Sequence, residues 1–100
     1  MPKLPEDCET MPEVRAGVDA VDRELIALLD KRFGYMRAAA RIKQSRAAVR
    51  DEERKASVIA AAVAEAAARG IPESVIAQMW DVLVEGSIAY EFTEWDRIRD

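Results

Sequence analysis

Two cations stand where the pattern calls for apolar residues. Between Thr10 and about Ala47, the positions Val14, Val18, Val21, Leu25 and Leu28 recur at steps of four and three, the spacing of one helical face. The next two steps land on Arg32 and Tyr35. A neighbouring seam runs Ile26, Leu29, Phe33, Met36 and Ala40, then reaches Lys43. On a helix, Arg32 and Lys43 lie about three turns apart, share a face, and have Cα atoms roughly 16 Å from each other. Ala38, Ala39 and Ala40 leave room between them. Two long cationic side chains leaning over small residues suit the two ends of a small dianion. The plainer reading is a pair of solvated charges whose stems cover the rim of a core.

The other chemical groups fit that anion better than they fit conventional acid–base catalysis. The chain has no histidine and a single cysteine, Cys8. This excludes a His-dependent triad, a Cys/His zinc site and a disulfide within one chain, and no metal set is expected. Nine Lys and Arg against three acids put residues 31–55 at +6; the whole chain carries −4, so the remainder is at −10. A basic block in an acidic protein points to a focused anion site rather than to a nucleic-acid face. Candidate donors are Arg15, Arg32, Lys43, Arg50 and Arg54, and guanidinium forks bind carboxylates bidentately. Further along, the stripe Ile76, Met79, Trp80, Leu83, Ser87, Tyr90 and Glu91 begins apolar and turns polar. A glutamate at a core-facing position should either pair with a cation or have a raised pKa, unless it is partly exposed near a frayed C-terminus. Such a site would hold a diacid in a reactive shape and stabilise separated charge, as a pericyclic rearrangement or an elimination requires.

The elements that must position these groups are helices. The composition is all-α, half hydrophobic and rich in alanine, with four glycines and four prolines in 100 residues. One domain over 1–100 is expected, with an irregular lead-in over 1–9. Thr10 and Glu13 form a capping box for a long helix over about 11–46. Asp51 caps a second helix over about 51–69, and Gly70 stops it. A third helix runs over about 72–97. A first helix of about 55 Å is too long for a globule whose radius of gyration would be near 13 Å. The expected assembly is therefore an intertwined helical homodimer in which long helices pack across subunits. With no apolar run long enough for a membrane span, a cytoplasmic protein is expected, with no membrane or nucleic-acid partner.

These residues resemble the all-helical (type II) chorismate mutases from about Met11 to Trp95. The resemblance is carried by Val14-Arg15, the Asp19…Asp22 stretch, Leu25-Ile26-Ala27-Leu28-Leu29, Lys31-Arg32, Arg41-Ile42-Lys43, Val49-Arg50-Asp51-Glu52-Glu53-Arg54 and Glu85-Gly86-Ser87. It implies a cofactor-free conversion of chorismate to prephenate in an intertwined dimer. Arg15 would reach one substrate carboxylate from the partner subunit, and Arg32 would bind the other. Lys43 would donate to the ether oxygen, Arg54 would add a carboxylate contact, Asp51 would lie near the substrate hydroxyl, and Ser87 would line the pocket. The chain departs from the family pattern at Glu91, where bacterial members usually carry a Gln that donates to the ether oxygen, a catalytic role Glu91 would fill when protonated, and at Lys55, where many carry a Glu that binds the ring hydroxyl. The Pro5-Glu6-Asp7-Cys8 lead-in and the Tyr35…Ala38-Ala39…Arg41…Lys43…Ser45 run look like the related isochorismate-pyruvate lyases, which release salicylate and pyruvate. A reading from another class is a non-catalytic helical dimer acting as a regulatory module.

Overall fold

The computed structural model describes residues Met1–Asp100 as three α-helices and two short 3₁₀ turns, with no strand. The helices are α1 (Met11–Ile42), α2 (Glu52–Ala68) and α3 (Glu73–Ile98). By its internal packing the chain falls into two units, Met1–Gly34 and Tyr35–Asp100.

In the first unit, a 3₁₀ turn at Pro5–Asp7 leads to the capping box. The Glu13 amide donates to Thr10 Oγ1 at 3.3 Å, and the Thr10 amide donates back to Glu13 Oε1 at 3.0 Å. The Glu9 amide shares that carboxylate oxygen, and Lys3 forms an ion pair with the other. These contacts, Lys3 foremost, hold the Glu13 carboxyl below its ordinary pKa. Two orphan amides at the start of the helix are thereby satisfied. What the unit does not do is bury its apolar seam. Val14, Val18, Val21, Leu25 and Leu28 are all exposed.

The second unit is built around α2 and α3. Asp51 Oδ1 accepts from the Arg54 amide at 3.0 Å, and Glu52 and Glu53 complement the helix dipole in the first turn of α2. Gly70 takes a φ of 71°, which lets the Ile71 amide reach back to the Ala66 carbonyl at 2.9 Å and the Gly70 amide to Ala67 at 3.2 Å. That closure needs the left-handed conformation glycine adopts at no steric cost. Val49 from the Arg46–Val49 turn joins Val84 and Ile88 of α3 in the core, flanked by Val58, Ile59, Trp80, Phe92 and Trp95. Burial of a Val or Ile side chain contributes about 1.5–3 kcal/mol, so this core is small but sufficient to orient α3 against α2 and the turn.

The first helix stops at Ile42, not at about residue 46 as its pattern suggested. Lys43 makes one last helical bond, its amide to the Ala39 carbonyl at 2.9 Å, and the chain then bends into the 3₁₀ turn. The cause is tertiary: α3 side chains take the carbonyls on which a further helical turn would have been built.

Candidate functional site

A polar line steps by four along α3 through Leu83, Ser87, Glu91 and Trp95 to Arg99, the residue that caps its C-terminus. Each of the last four makes a polar contact, either with the α3 backbone or with the chain around Lys43. Ser87 Oγ donates to the Leu83 carbonyl at 2.7 Å and is buried, a common arrangement for a mid-helix serine. Glu91 is 4% exposed, which removes the possibility of a frayed, solvated carboxylate. Its Oε2 accepts from Lys43 Nζ at 2.7 Å. A lone buried carboxylate would be strongly destabilising, and the ammonium offsets that cost. The Lys43 side chain keeps 31% of its exposure, so two of its three N–H donors remain for an arriving anion.

The backbone beneath Lys43 is gripped by the same helix. Trp95 Nε1 donates to the Lys43 carbonyl at 3.0 Å, and Arg99 Nη2 donates to it at 2.7 Å. Arg99 Nη1 also reaches the Ala40 carbonyl at 3.0 Å, with the guanidinium 4.2 Å from the Trp95 ring centroid. Beyond the bend, Arg46 donates twice to Asp96 at 2.9 and 3.2 Å and lies 4.5 Å over Phe92. Arg37 Nη1 donates to Tyr90 Oη at 3.0 Å. None of these side chains except Tyr90 was singled out from the sequence. Trp95 and Arg99 continue the four-residue step of Leu83, Ser87 and Glu91, and that was the available signal.

A second ionic cluster lies on the α2–α3 side. Glu85 accepts from Arg50 Nη1 and Nη2 at 3.1 and 3.0 Å and from Lys55 Nζ at 2.9 Å. Arg50 also bonds Glu52 at 2.8 Å, and Lys55 is 3.2 Å from Asp81. The hydrogen bonds from Arg50, then Lys55, pull the Glu85 carboxyl from its ordinary value of 4.5 to about 2. In return, the bond to Glu85 raises the pKa of both Arg50 and Lys55. Arg50, a candidate donor from the sequence, is thus committed to intramolecular carboxylates.

The other sequence candidates are dispersed. Arg15 is exposed and Arg32 half-buried, both on the part of α1 in the first unit. Asp51 serves as the α2 cap. Arg54 is exposed and lines a 470 Å³ cleft with Val58, Ala62, Ile76 and Trp80. That cleft contains neither Lys43 nor Glu91. Within the second unit, Lys43 and Glu91 are the predicted residues joined by an ion pair, while Asp51 and Arg54 meet through the α2 cap. The Lys43–Glu91 pair is able to donate a hydrogen bond to an anion or a departing oxygen at a partly desolvated point, where such a bond is stronger than in water.

Comparison with known proteins places the chain in a family. Over 97 residues, 97% of this chain and 96% of the other, the sequence is 28% identical to an isochorismate pyruvate lyase of Pseudomonas aeruginosa. The family model described as chorismate mutase type II matches residues 14–92, a span that includes Arg15, Arg32, Lys43 and Glu91. The chain belongs to the type II chorismate mutase family.

Proposed function

We propose that this protein is a chorismate mutase, isomerising chorismate to prephenate in a cationic pocket. The observation that carries the reading is the Lys43–Glu91 pair, a buried carboxylate held by a part-buried ammonium just beyond the end of α1, within a chain of this family. In the rearrangement an ether C–O bond breaks as a C–C bond forms, and negative charge grows on the ether oxygen. Lys43 donates to that oxygen as the charge develops. A preorganised donor of this kind is worth roughly 10²–10³ in rate. Arg32 binds one substrate carboxylate, and Arg54 adds a contact. Asp51 and Ser87 complete the substrate surroundings. No nucleophile is needed; the protein contributes shape and charge.

The active form is a homodimer on this reading. The exposed seam Val14, Val18, Val21, Leu25 and Leu28 supports it, because apolar surface of that extent marks an interaction face. A helix of 32 residues, about 48 Å long, gives the seam its reach. Arg15 of the partner subunit then supplies the second carboxylate contact.

A specific observation favours a second activity, the lyase reaction that turns isochorismate into salicylate and pyruvate. The end-to-end similarity is to a protein named for it. In addition, Lys55 stands where many mutases carry a hydroxyl-binding glutamate, and it is held by Glu85 and Asp81. Both reactions break the same kind of bond and both use Lys43. A side-by-side turnover assay separates them. Prephenate from chorismate with little salicylate is the expected result. Salicylate from isochorismate at a much higher rate assigns the lyase activity. Neither product contradicts both and leaves a non-catalytic helical module.

A further inference from the structure

We propose that Trp95 and Arg99 are positioning residues that hold the Lys43 main chain in register with Glu91, and so set where the Lys43 ammonium meets substrate. The inference rests on the catalytic reading of Lys43 above. It begins from a property of helix ends: the last carbonyls of a helix have no amide ahead of them. At the end of α1, Arg99 takes three of these acceptors. It donates to Ala40 at 3.0 Å, to Arg41 at 3.5 Å and to Lys43 at 2.7 Å. A guanidinium there also meets the negative end of the helix dipole. Trp95 adds a second bond to the same Lys43 carbonyl at 3.0 Å, and its ring supports the Arg99 guanidinium at 4.2 Å. The Lys43 carbonyl thus accepts from two rigid, mutually stacked donors at the point where the chain leaves the helix.

The arrangement has a consequence for the ammonium. Lys43 lies outside α1 and is followed by bends at Gln44 and Ser45. Helical bonding alone would hold its amide and leave its carbonyl to swing. Glu91 grips the ammonium, and Trp95 and Arg99 grip the carbonyl. Glu91 and Trp95 lie on α3 and Arg99 is its C-cap, the three following one another at four-residue intervals. One helix face therefore fixes both ends of this lysine. A displacement on the order of 1 Å in such a group costs up to about 10² in rate.

The test compares Trp95→Phe, Arg99→Gln and Arg99→Lys with the wild-type protein. Trp95→Phe keeps an aromatic ring while removing the indole donor together with part of the ring that packs on the core, so the protection of α2 is read beside it. Arg97→Gln is the control, since Arg97 bonds only the neighbouring Glu94 on α3. The expected result is a fall in kcat of about tenfold or more in Trp95→Phe and Arg99→Gln, with KM changed much less. Arg99→Lys recovers part of the loss, the two damaging changes combine less than additively because they share one acceptor, and Arg97→Gln matches wild type. Hydrogen exchange at the amides of residues 43–46 is read in the same variants. It accelerates in Trp95→Phe and Arg99→Gln, while the amides of α2 keep their protection. The proposal is overturned if kcat stays within twofold in both variants, or if α2 loses protection as much as residues 43–46 do. A wild-type protein inactive on both substrates contradicts the functional reading instead, and the exchange pattern alone then decides whether the clamp exists.

Discussion

Residues 1–34 and residues 35–100 contain similar apolar side chains and use them in opposite ways. In the second region Val49, Val84 and Ile88 are buried, and Trp80, Phe92 and Trp95 pack against them. In the first, Val14, Val18, Val21, Leu25, Ile26 and Leu28 remain 38% to 65% exposed. The first region is nevertheless the more regularly patterned of the two, with an intact capping box at its start. On the proposed dimer, this regular but unburied seam is the surface that meets the partner subunit. The second region is organised by its own contacts, and its polar residues are correspondingly held: Glu91 by Lys43, Glu85 by Arg50 and Lys55, Asp96 by Arg46.

The contrast is broken most directly by charging the exposed seam. Val21→Asp combined with Leu25→Asp should leave the second region folded and abolish dimerisation. Sedimentation at micromolar concentration is expected to show a monomer, with turnover falling to background because Arg15 of the partner subunit is lost. A wild-type monomer that turns over substrate would contradict the assignment of the first region to assembly.

The held polar residues of the second region sharpen the comparison. Glu91 neutralises Lys43, and as a carboxylate it accepts but does not donate. Glu91→Gln keeps the shape and an oxygen that still accepts from Lys43, adds an amide donor and removes the charge that neutralises the ammonium. Turnover at neutral pH should rise by about tenfold, measured as kcat/KM, within the range a single added donor supplies. An unchanged or lower value would mean that the ion pair itself is required. A smaller effect, on stability alone, is expected at Glu85. Its folded pKa lies near 2, below its ordinary 4.5, so its pairing stabilises the fold above about pH 4.5 and that stabilisation fades as pH falls toward 2. Glu85→Gln should lower the unfolding temperature at pH 7, and the gap from wild type should close across that acid window. A constant gap down to pH 2 would rule the Arg50 and Lys55 bonds out as its source.

What the sequence disclosed follows the range of the interactions. Thr10 with Glu13, Asp51 with Arg54, and Gly70 with the end of α2 all act within five residues, and these features were readable. The all-α class followed from composition, and the core-facing register of Glu91 from periodicity. The stop of α1 at Ile42 was not readable, because its cause lies more than fifty residues away in Trp95 and Arg99. Arg50 looked like a free donor for the same reason: the carboxylate that occupies it, Glu85, comes from another helix. Both surprises concern side chains whose partners only the folded chain brings near.

The central claim is that Lys43, held over Glu91, is the group that drives the reaction. The most direct measurement is the turnover of Lys43→Ala on chorismate and isochorismate, beside circular dichroism and sedimentation of the same sample. A loss of about 10² to 10³ in kcat, with helix content and oligomeric state unchanged, is the predicted result. Turnover within tenfold of wild type on the preferred substrate would contradict it and move the chemistry away from this pair.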